Sequence, residues 1–247
     1  MKFIYGRNPV FELVKANPGR VHKIMIAENN QGENISRIID IARAKHLKIE
    51  FTNRRKLDSV TNRKVHQGVL AFTNEDTSYE LEDLLRIPEE KQEKAFLVML
   101  DSIYDPQNLG SILRTAEAAG AHGVIIPKHR ACKVTPTVVK VSAGATEYIP
   151  VVEVTNIVNC IMSLKEKGIF VIGADNSAKE NYLNVDMNKD VAIVIGNEDE
   201  GIRRLTKEKC DLLVKIPMKG RMESLNTSVA ASILIYEVFR SRINNSA

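Results

Sequence analysis

Three short stretches of the chain gather side chains able to hold a polar ligand. The first, NLGSILRTAEAAG, puts Asn108 at a helix start and Arg114 about one and a half turns further on, on a face shared with Gly110 and Ser111. A guanidinium beside a glycine, which lets a backbone or a ligand come close, suits contact with a phosphate or a ribose. The second, VIGNEDEG, carries an apolar run into a loop that holds Gly196, Gly201 and the acids Glu198, Asp199 and Glu200. The third, IPMKGRMESLNTSVAASILIY, joins a β-type run ending at Pro217 and Met218, a glycine-hinged polar loop from Lys219 to Glu223, and an apolar helix. In that helix Val229, Ala230, Ile233, Leu234, Val238 and Phe239 recur at the spacing of one buried face. Ser224 or Asn226 can cap it and leave the positive end of its dipole facing the loop. Each stretch alone also fits an ordinary account: an exposed arginine, a polar turn, a capped core helix.

The elements that must position these residues read as α/β. Apolar runs bounded by Gly, Pro or Asp fall at Ala95–Leu100, Gly123–Pro127, Ile149–Val154, Ile169–Ala174, Val191–Ile195 and Leu212–Pro217. Fully apolar runs of this length, mostly separated by helical stretches, are how strands of a doubly covered, mostly parallel sheet read. Ligands on such sheets bind at the carboxyl ends of strands, where all three stretches begin. The Asn108 helix, apolar at Leu109, Ile112, Leu113, Ala116 and Ala119, is expected to be capped by Asn108 and closed by Gly120. The first strand runs into MLDSIYDPQNLG, with neither GxGxxG nor GxxxxGK[ST] nearby, which disfavours a dinucleotide-binding fold and a P-loop NTPase.

Before this region the rhythm differs. Helical patterns over Pro9–Ala16, Asn34–His46 and Arg54–Thr61 alternate with extended runs at Val21–Glu28, Leu47–Asn53 and Gly68–Thr73, giving a small α/β module over 1–74. Residues 75–94 are charged, contain Pro88 and show little core periodicity beyond Leu81, Leu84 and Leu85, which reads as a linker to a second domain over 95–247. Of the net charge of +4, the stretch from Met1 to Asn74 holds fourteen Lys and Arg against six Asp and Glu. That surplus favours a polyanionic partner such as RNA, a solvated charged face being the alternative.

Cys132, Cys160 and Cys210 are odd in number and widely spaced, without CxxC or a neighbouring His, so neither a disulfide framework nor a zinc site is indicated, and they read as small buried hydrophobes. No run approaches the eighteen or so apolar residues of a membrane span. The start MKFIYGRNPVFEL lacks the features of a signal peptide, so a cytoplasmic location is expected.

Together NLGSILRTAEAAG, IVIGNEDEG and IPMKGRMESLNTSVAASILIYE resemble motifs 1, 2 and 3 of the SpoU/TrmH family of RNA ribose 2′-O-methyltransferases, in the SPOUT superfamily, in the same order and spacing. The resemblance runs from about Ala95 to the end. The module with YGRNPVFEL at its start and VHQGVLA near its close resembles the L30e-like RNA-binding domain of one branch, the RlmB-type enzymes, which methylate a guanosine of large-subunit ribosomal RNA. The resemblance implies a deep trefoil knot in the C-terminal domain, against the general rarity of knots. It also implies S-adenosylmethionine as cofactor and a homodimer formed through the knotted domain. Carried onto matching positions, Gly196, Ile216 and Leu225 would hold the cofactor, with Gly173, Ala174 and Met218 beside them. Glu198, Ser224 and Asn226 would line the pocket, and Asn108 and Arg114 would face the target ribose and phosphate. An arginine guanidinium keeps its proton under ordinary conditions, which favours an electrostatic anchor over a general base for that side chain. Arg54, Arg55, Lys56 and Arg7 would contact RNA. Two other functions stay open, a methyltransferase acting on transfer RNA and a non-catalytic RNA-binding or assembly factor.

Overall fold

In the computed structural model, which describes residues 2–74, 78–198, 200–222 and 224–243, the chain divides into two α/β units. Asp199 and Glu223, counted above in two polar loops, and the outer limits of the expected domains at 1, 75 and 247 lie outside the described residues.

One unit takes in the chain up to Ser78 together with Val134–Tyr148. Its strands are β1 (Lys2–Tyr5), β2 (Val21–Ala27), β3 (Ile49–Thr52) and β4 (Val69–Thr73), and its first helices are α1 (Arg7–Ala16), α2 (Glu33–Ala44) and α3 (Arg54–Thr61). The sheet order is β1-β4-β2-β3, with β2 and β3 parallel and the other neighbours antiparallel. Val10, Leu13 and Val14 of α1 and Ile35, Ile38 and Ala42 of α2 supply the apolar stripes that cover this sheet.

The other unit takes in Tyr79–Lys133 and the chain from Ile149 onward. It opens with α4 (Leu81–Lys91), β5 (Phe96–Asp101), α5 (Pro106–Ala118) and β6 (Gly123–Pro127). The chain then gives α6 (Pro136–Val141) to the first unit. It returns with β7 (Val151–Val154), α7 (Ile157–Glu166), β8 (Phe170–Ala174), β9 (Glu180–Asn181), β10 (Val191–Gly196), α8 (Arg204–Lys209), β11 (Leu212–Lys215) and α9 (Thr227–Ile243). The sheet order is β7-β6-β5-β10-β8-β11-β9, every pairing parallel. β5 and β10 are buried along their whole length, as central strands covered on both faces must be. Successive strands move outward from β5 to β6 and β7, and the later ones fall on the other side of β5, so the order reverses between β5 and β10.

Two domain expectations need correction. Residues 134–148 belong with the first unit, where Val139 is buried in the α1 core and the Glu147 carboxylate accepts from Arg20 Nη1 at 2.7 Å and Asn17 Nδ2 at 3.0 Å. The 75–94 stretch is not merely a linker, because α4 lies in it. Asp83 accepts from the Glu80 N–H at 2.9 Å to start that helix, and Leu84 and Leu85 are buried among Leu97, Ile125 and Ile161. A side chain at Gly123 would meet Leu84 Cγ at 2.4 Å, so that glycine makes the room Leu84 fills. The helix hides from pattern reading because it contains Pro88 and most of its other positions are charged.

Cys160 is buried in the core and Cys210 packs partly buried against it, whereas Cys132, expected to be buried, is only partly covered. Burial pushes the Cys160 and Cys210 thiols up to about 12 and raises Cys132 as well. No helix among the described residues is long and apolar enough to cross a membrane.

Leu84→Ala should lower unfolding stability by about 2–5 kcal/mol, the range for truncating a fully buried leucine, read from the urea midpoint at unchanged slope. A loss within about 0.5 kcal/mol would restore the linker description.

Candidate active site

The ends of β5 and β10 are level, since Gly196 pairs with Asp101. From β5 the backbone turns through Ser102 in the left-handed region (φ 67) to Asp105, whose side chain accepts from the Gln107 N–H at 3.0 Å. Asp105 is therefore the cap of α5, with Pro106 at the first helical position, where a missing N–H is no loss. Asn108, expected as the cap, sits inside the first turn and is buried.

From there it reaches Glu198. Asn108 Nδ2 donates to Glu198 Oε1 at 2.9 Å, Asn226 Nδ2 donates to the same oxygen at 2.5 Å, and the Thr227 N–H approaches it at 3.4 Å. Asn226 Nδ2 also lies 3.1 Å from Asn108 Oδ1. The Asn226 oxygen accepts from Ser228 N at 3.0 Å and Val229 N at 3.4 Å, so Asn226, rather than Ser224, caps α9. A carboxylate at this helix start is favoured by the dipole. With Oε1 so occupied, Oε2 has no protein donor among the described residues.

Behind the cluster the β10 loop folds on itself, with Asn197 and Gly201 exchanging backbone hydrogen bonds of 3.2 Å. A Cβ on Gly196 would lie 2.0 Å from the Gly201 carbonyl carbon and 2.1 Å from Ile202 N, so only glycine fits there.

Beside this loop lies a cavity of about 340 Å³, within the range of small-molecule sites. Ala174, Gly196, Glu198, Ile216, Met218, Ser224 and Leu225 line it, bringing together seven residues singled out in the sequence. Ile195, Val214 and Ala230 extend its apolar wall. Gly173 lies outside the lining and packs instead against Leu213, Cys210 and Ile202. Asn108 and Asn226 meet the lining through Glu198. Arg114 does not join the cluster: it is exposed on α5, without a hydrogen bond or ion pair among the described residues, while Gly110 on the same helix is buried. Asp175, Asn176, Ser177 and Lys207 also line the cavity and were missed. The rule that ligands bind beyond strand ends pointed to 175–177 after β8, but nothing local marked Lys207.

The backbone from Ile216 to Leu225 makes no backbone–backbone hydrogen bond among the described residues, which leaves peptide groups beside the cavity for a ligand.

Residues 95–236 match the SpoU rRNA Methylase family, and residues 3–79 match the RNA 2′-O ribose methyltransferase substrate-binding family. The chain is 46% identical over 240 residues to YacO of Bacillus subtilis strain 168, assigned to the TrmH family of tRNA/rRNA methyltransferases, covering 97% of this chain and 96% of that one. It is 40% identical over 242 residues to the 23S rRNA (guanosine-2′-O-)-methyltransferase RlmB of Coxiella burnetii, covering 98% and 96%. This chain belongs to the SpoU/TrmH methyltransferase family. Among solved structures, the SpoU methyltransferase AviRb of Streptomyces viridochromogenes in complex with AdoMet superposes with a TM-score of 0.81 at 25% identity, over 98% of this chain and 90% of that one.

In this SpoU-family protein the basic residues of the first unit fall into two groups. Arg54 and Arg55 are exposed on α3, and Lys56 pairs with Glu50 at 2.7 Å. Bonds from Lys56 and Lys23 hold the Glu50 carboxyl at about 2. Arg7 instead spends its guanidinium within the unit, donating to Asn30 Oδ1 at 2.7 Å, Gln31 O at 3.1 Å and Gln67 O at 3.4 Å.

The strand ends that carry the Asn108–Glu198–Asn226 cluster are tied by an ion pair that no sequence pattern marks. Asp101, fully buried at the end of β5, accepts from Arg203 N at 3.0 Å and Nε at 2.7 Å, with Nη2 at 2.6 Å. That bond raises the Arg203 guanidinium further and ties the segment after the β10 loop to the strand that leads to Asn108. Arg203→Met strands a buried carboxylate and should lower stability by about 2–3 kcal/mol, less than a wholly buried pair because Arg203 is half in solvent. Adding Asp101→Asn should recover part of the loss in a double-mutant cycle measured by urea unfolding. Strictly additive losses would show that the pair is not coupled.

Proposed function

We propose that this chain transfers a methyl group from S-adenosylmethionine to a ribose 2′-hydroxyl of RNA, the target being a guanosine of 23S ribosomal RNA, in the cytoplasm. The observation that carries the proposal is the Asn108–Glu198–Asn226 cluster at a cavity with an apolar wall. The 40% identity to an RlmB supports the ribosomal target, and the AdoMet complex of AviRb supports the cofactor.

The residues divide the work. Ile216, Met218 and Leu225 would hold the adenine by apolar contact and backbone hydrogen bonds, with Ala174 and Gly196 beside them. When bound, S-adenosylmethionine supplies an electrophilic methyl group on a sulfonium. Glu198, oriented by two carboxamides, presents a carboxylate that favours a cation in the cavity, and Ser224 adds a hydroxyl to the wall. Arg114, with its fork uncommitted, anchors the target phosphate and stabilises charge developing on the ribose oxygen. Arg54, Arg55 and Lys56 make RNA contacts through phosphates, supported by the basic surplus of the first unit. The knotted path belongs to the same proposal. It is supported by the match of residues 95–236 to the SpoU family.

Mapping ribose methylation in total RNA with and without the protein tests the target: a site in transfer RNA would move the assignment there, and no site at all would favour an RNA-binding factor. Arg114→Ala should leave S-adenosylmethionine affinity unchanged by calorimetry while single-turnover methylation of an rRNA fragment falls ~10²-fold or more. Arg114→Lys should rescue little, since it keeps the charge without the planar fork. Turnover near wild type in the Ala variant would remove Arg114 from the mechanism.

The homodimer is part of the proposal too. Val229, Tyr236, Phe239 and Ile243 form an exposed apolar stripe along α9, repeating every three, four or seven residues, with the Tyr236 and Phe239 rings 5.8 Å apart. Light scattering should give about twice the 27.6 kDa chain mass, and Tyr236→Asp with Phe239→Glu should return it to one. A wild-type monomer at micromolar concentration would refute the dimer.

A further inference from the structure

One wall of the cavity carries charge that the chemistry at Glu198 does not use. Asp175, just past β8, and Lys207, on α8, both line it and form an ion pair. The Asp175 carboxylate is almost fully buried, and its Oδ1 accepts from Ser177 N at 2.8 Å and Ser177 Oγ at 2.5 Å. Burial alone would raise this carboxyl, but the bonds from Lys207 and Ser177 outweigh it and hold the group below its usual range. Asp175 is therefore ionised at neutral pH and has its acceptors engaged, which makes it a holder for Lys207 rather than a ligand group itself. An ammonium has three N–H donors, and Asp175 is the only acidic partner of Lys207 among the described residues. Lys207 lines the cavity, and its remaining donors suit an anionic oxygen there.

Strand order says which part of a ligand would meet them. Asn108 follows β5, Glu198 follows β10, Asp175 follows β8 and Ile216 follows β11, in sheet order β5-β10-β8-β11. With neighbouring strands about 4.8 Å apart, Asp175 stands roughly one strand from Glu198, and the apolar Ile216 lies beyond it. A carboxylate a few bonds from a sulfonium falls within that span.

We propose that Lys207, held in place by Asp175, recognises the α-carboxylate of the cofactor's amino-acid moiety. The assignment rests on S-adenosylmethionine occupying this cavity. It gives the pocket a selection by charge: the carboxylate meets Lys207, the sulfonium meets the field of Glu198, and adenosine compounds without the carboxylate are bound less tightly.

Calorimetric titration with S-adenosylmethionine and with its decarboxylated form separates this role from a general effect on the pocket. Wild type should prefer S-adenosylmethionine by roughly 10- to 100-fold, the scale of one charge-assisted hydrogen bond. Lys207→Met should lose most of that preference while binding the decarboxylated ligand as wild type does, which also shows that the pocket is folded. Lys207→Arg should retain most of the preference, and Asp175→Asn should reduce it. Two results overturn the assignment: Lys207→Met binding S-adenosylmethionine within about three-fold of wild type, or both ligands weakening equally. If wild type binds neither ligand, the cofactor assignment itself fails and the role of Lys207 goes with it.

Discussion

One carboxylate oxygen is the point on which the second unit converges. Glu198 Oε1 accepts from Asn108, 90 residues earlier in the chain, and from Asn226, 28 residues later, and it lies at the first turn of α9. These three segments meet there only if β5 and β10 end at the same height, if the β10 loop can close on Gly196, and if α9 starts at that loop. Register supplies the first condition, and the absence of a Cβ supplies the second. The pair between buried Asp101 and half-exposed Arg203 fixes the distance between the strand end and the chain after the loop. An isolated carboxylate here would face water and rotate freely, whereas three donors on one oxygen leave it a single orientation.

The first unit solves a similar problem with backbone strain. The turn residues Gly6 (φ 103), Asn29 (φ 63), Gly32 (φ 136), Gln67 (φ 55) and Gly68 (φ 78) all adopt left-handed or otherwise positive φ. The loops they belong to are held together by Arg7 and by Asn30, whose Nδ2 donates to Gln67 O at 3.1 Å and Gly68 O at 3.0 Å. The stretches YGRNPVFEL and VHQGVLA therefore have a common physical basis: they are two sides of one braced turn cluster, with Arg7 N donating to Gln67 Oε1 at 2.9 Å. Arg7 is accordingly a brace before it is a surface charge, which its place in a basic segment did not reveal.

Much of this was legible because buried parallel strands announce themselves. The runs at Gly123–Pro127 and Val191–Ile195 fall on β6 and β10, and Arg54–Thr61 coincides with α3, whose cap Asn53 accepts from Lys56 N at 3.0 Å. β1 was not legible: it is four residues long at a sheet edge, with too few positions to show a period. The face of α9 was misjudged for the opposite reason. The helix is apolar on more than one side, so spacing alone could not tell which side is inward. Val229 and Phe239 turn out exposed, while Ala231 and Ile235 are buried with Leu234 and Val238. Glu237 is buried as well, a position its charge argues against, because Arg240 bonds both its oxygens at 2.9 and 2.5 Å. Ion pairs between distant segments, such as Asp101 with Arg203 or Asp175 with Lys207, leave no periodic trace at all.

Helix α5 holds two polar side chains at a fixed separation. Its first turn supplies Asn108, buried and committed to Glu198, and six residues later the same helix exposes Arg114 with its guanidinium uncommitted. Six residues of α-helix rise about 9 Å, so the two side chains do not act on one atom in this arrangement. A ligand that touches both the Glu198 cluster and Arg114 must span roughly that distance along the helix, which is the scale of a nucleotide and more than that of a lone hydroxyl. The rigid helix thus sets the separation between the acidic cluster and the cation. Because Asp105 and Pro106 define where the helix begins, moving that start by one residue would rotate Arg114 and Asn108 together by about 100° relative to the strand end, and Glu198 would lose its Asn108 donor.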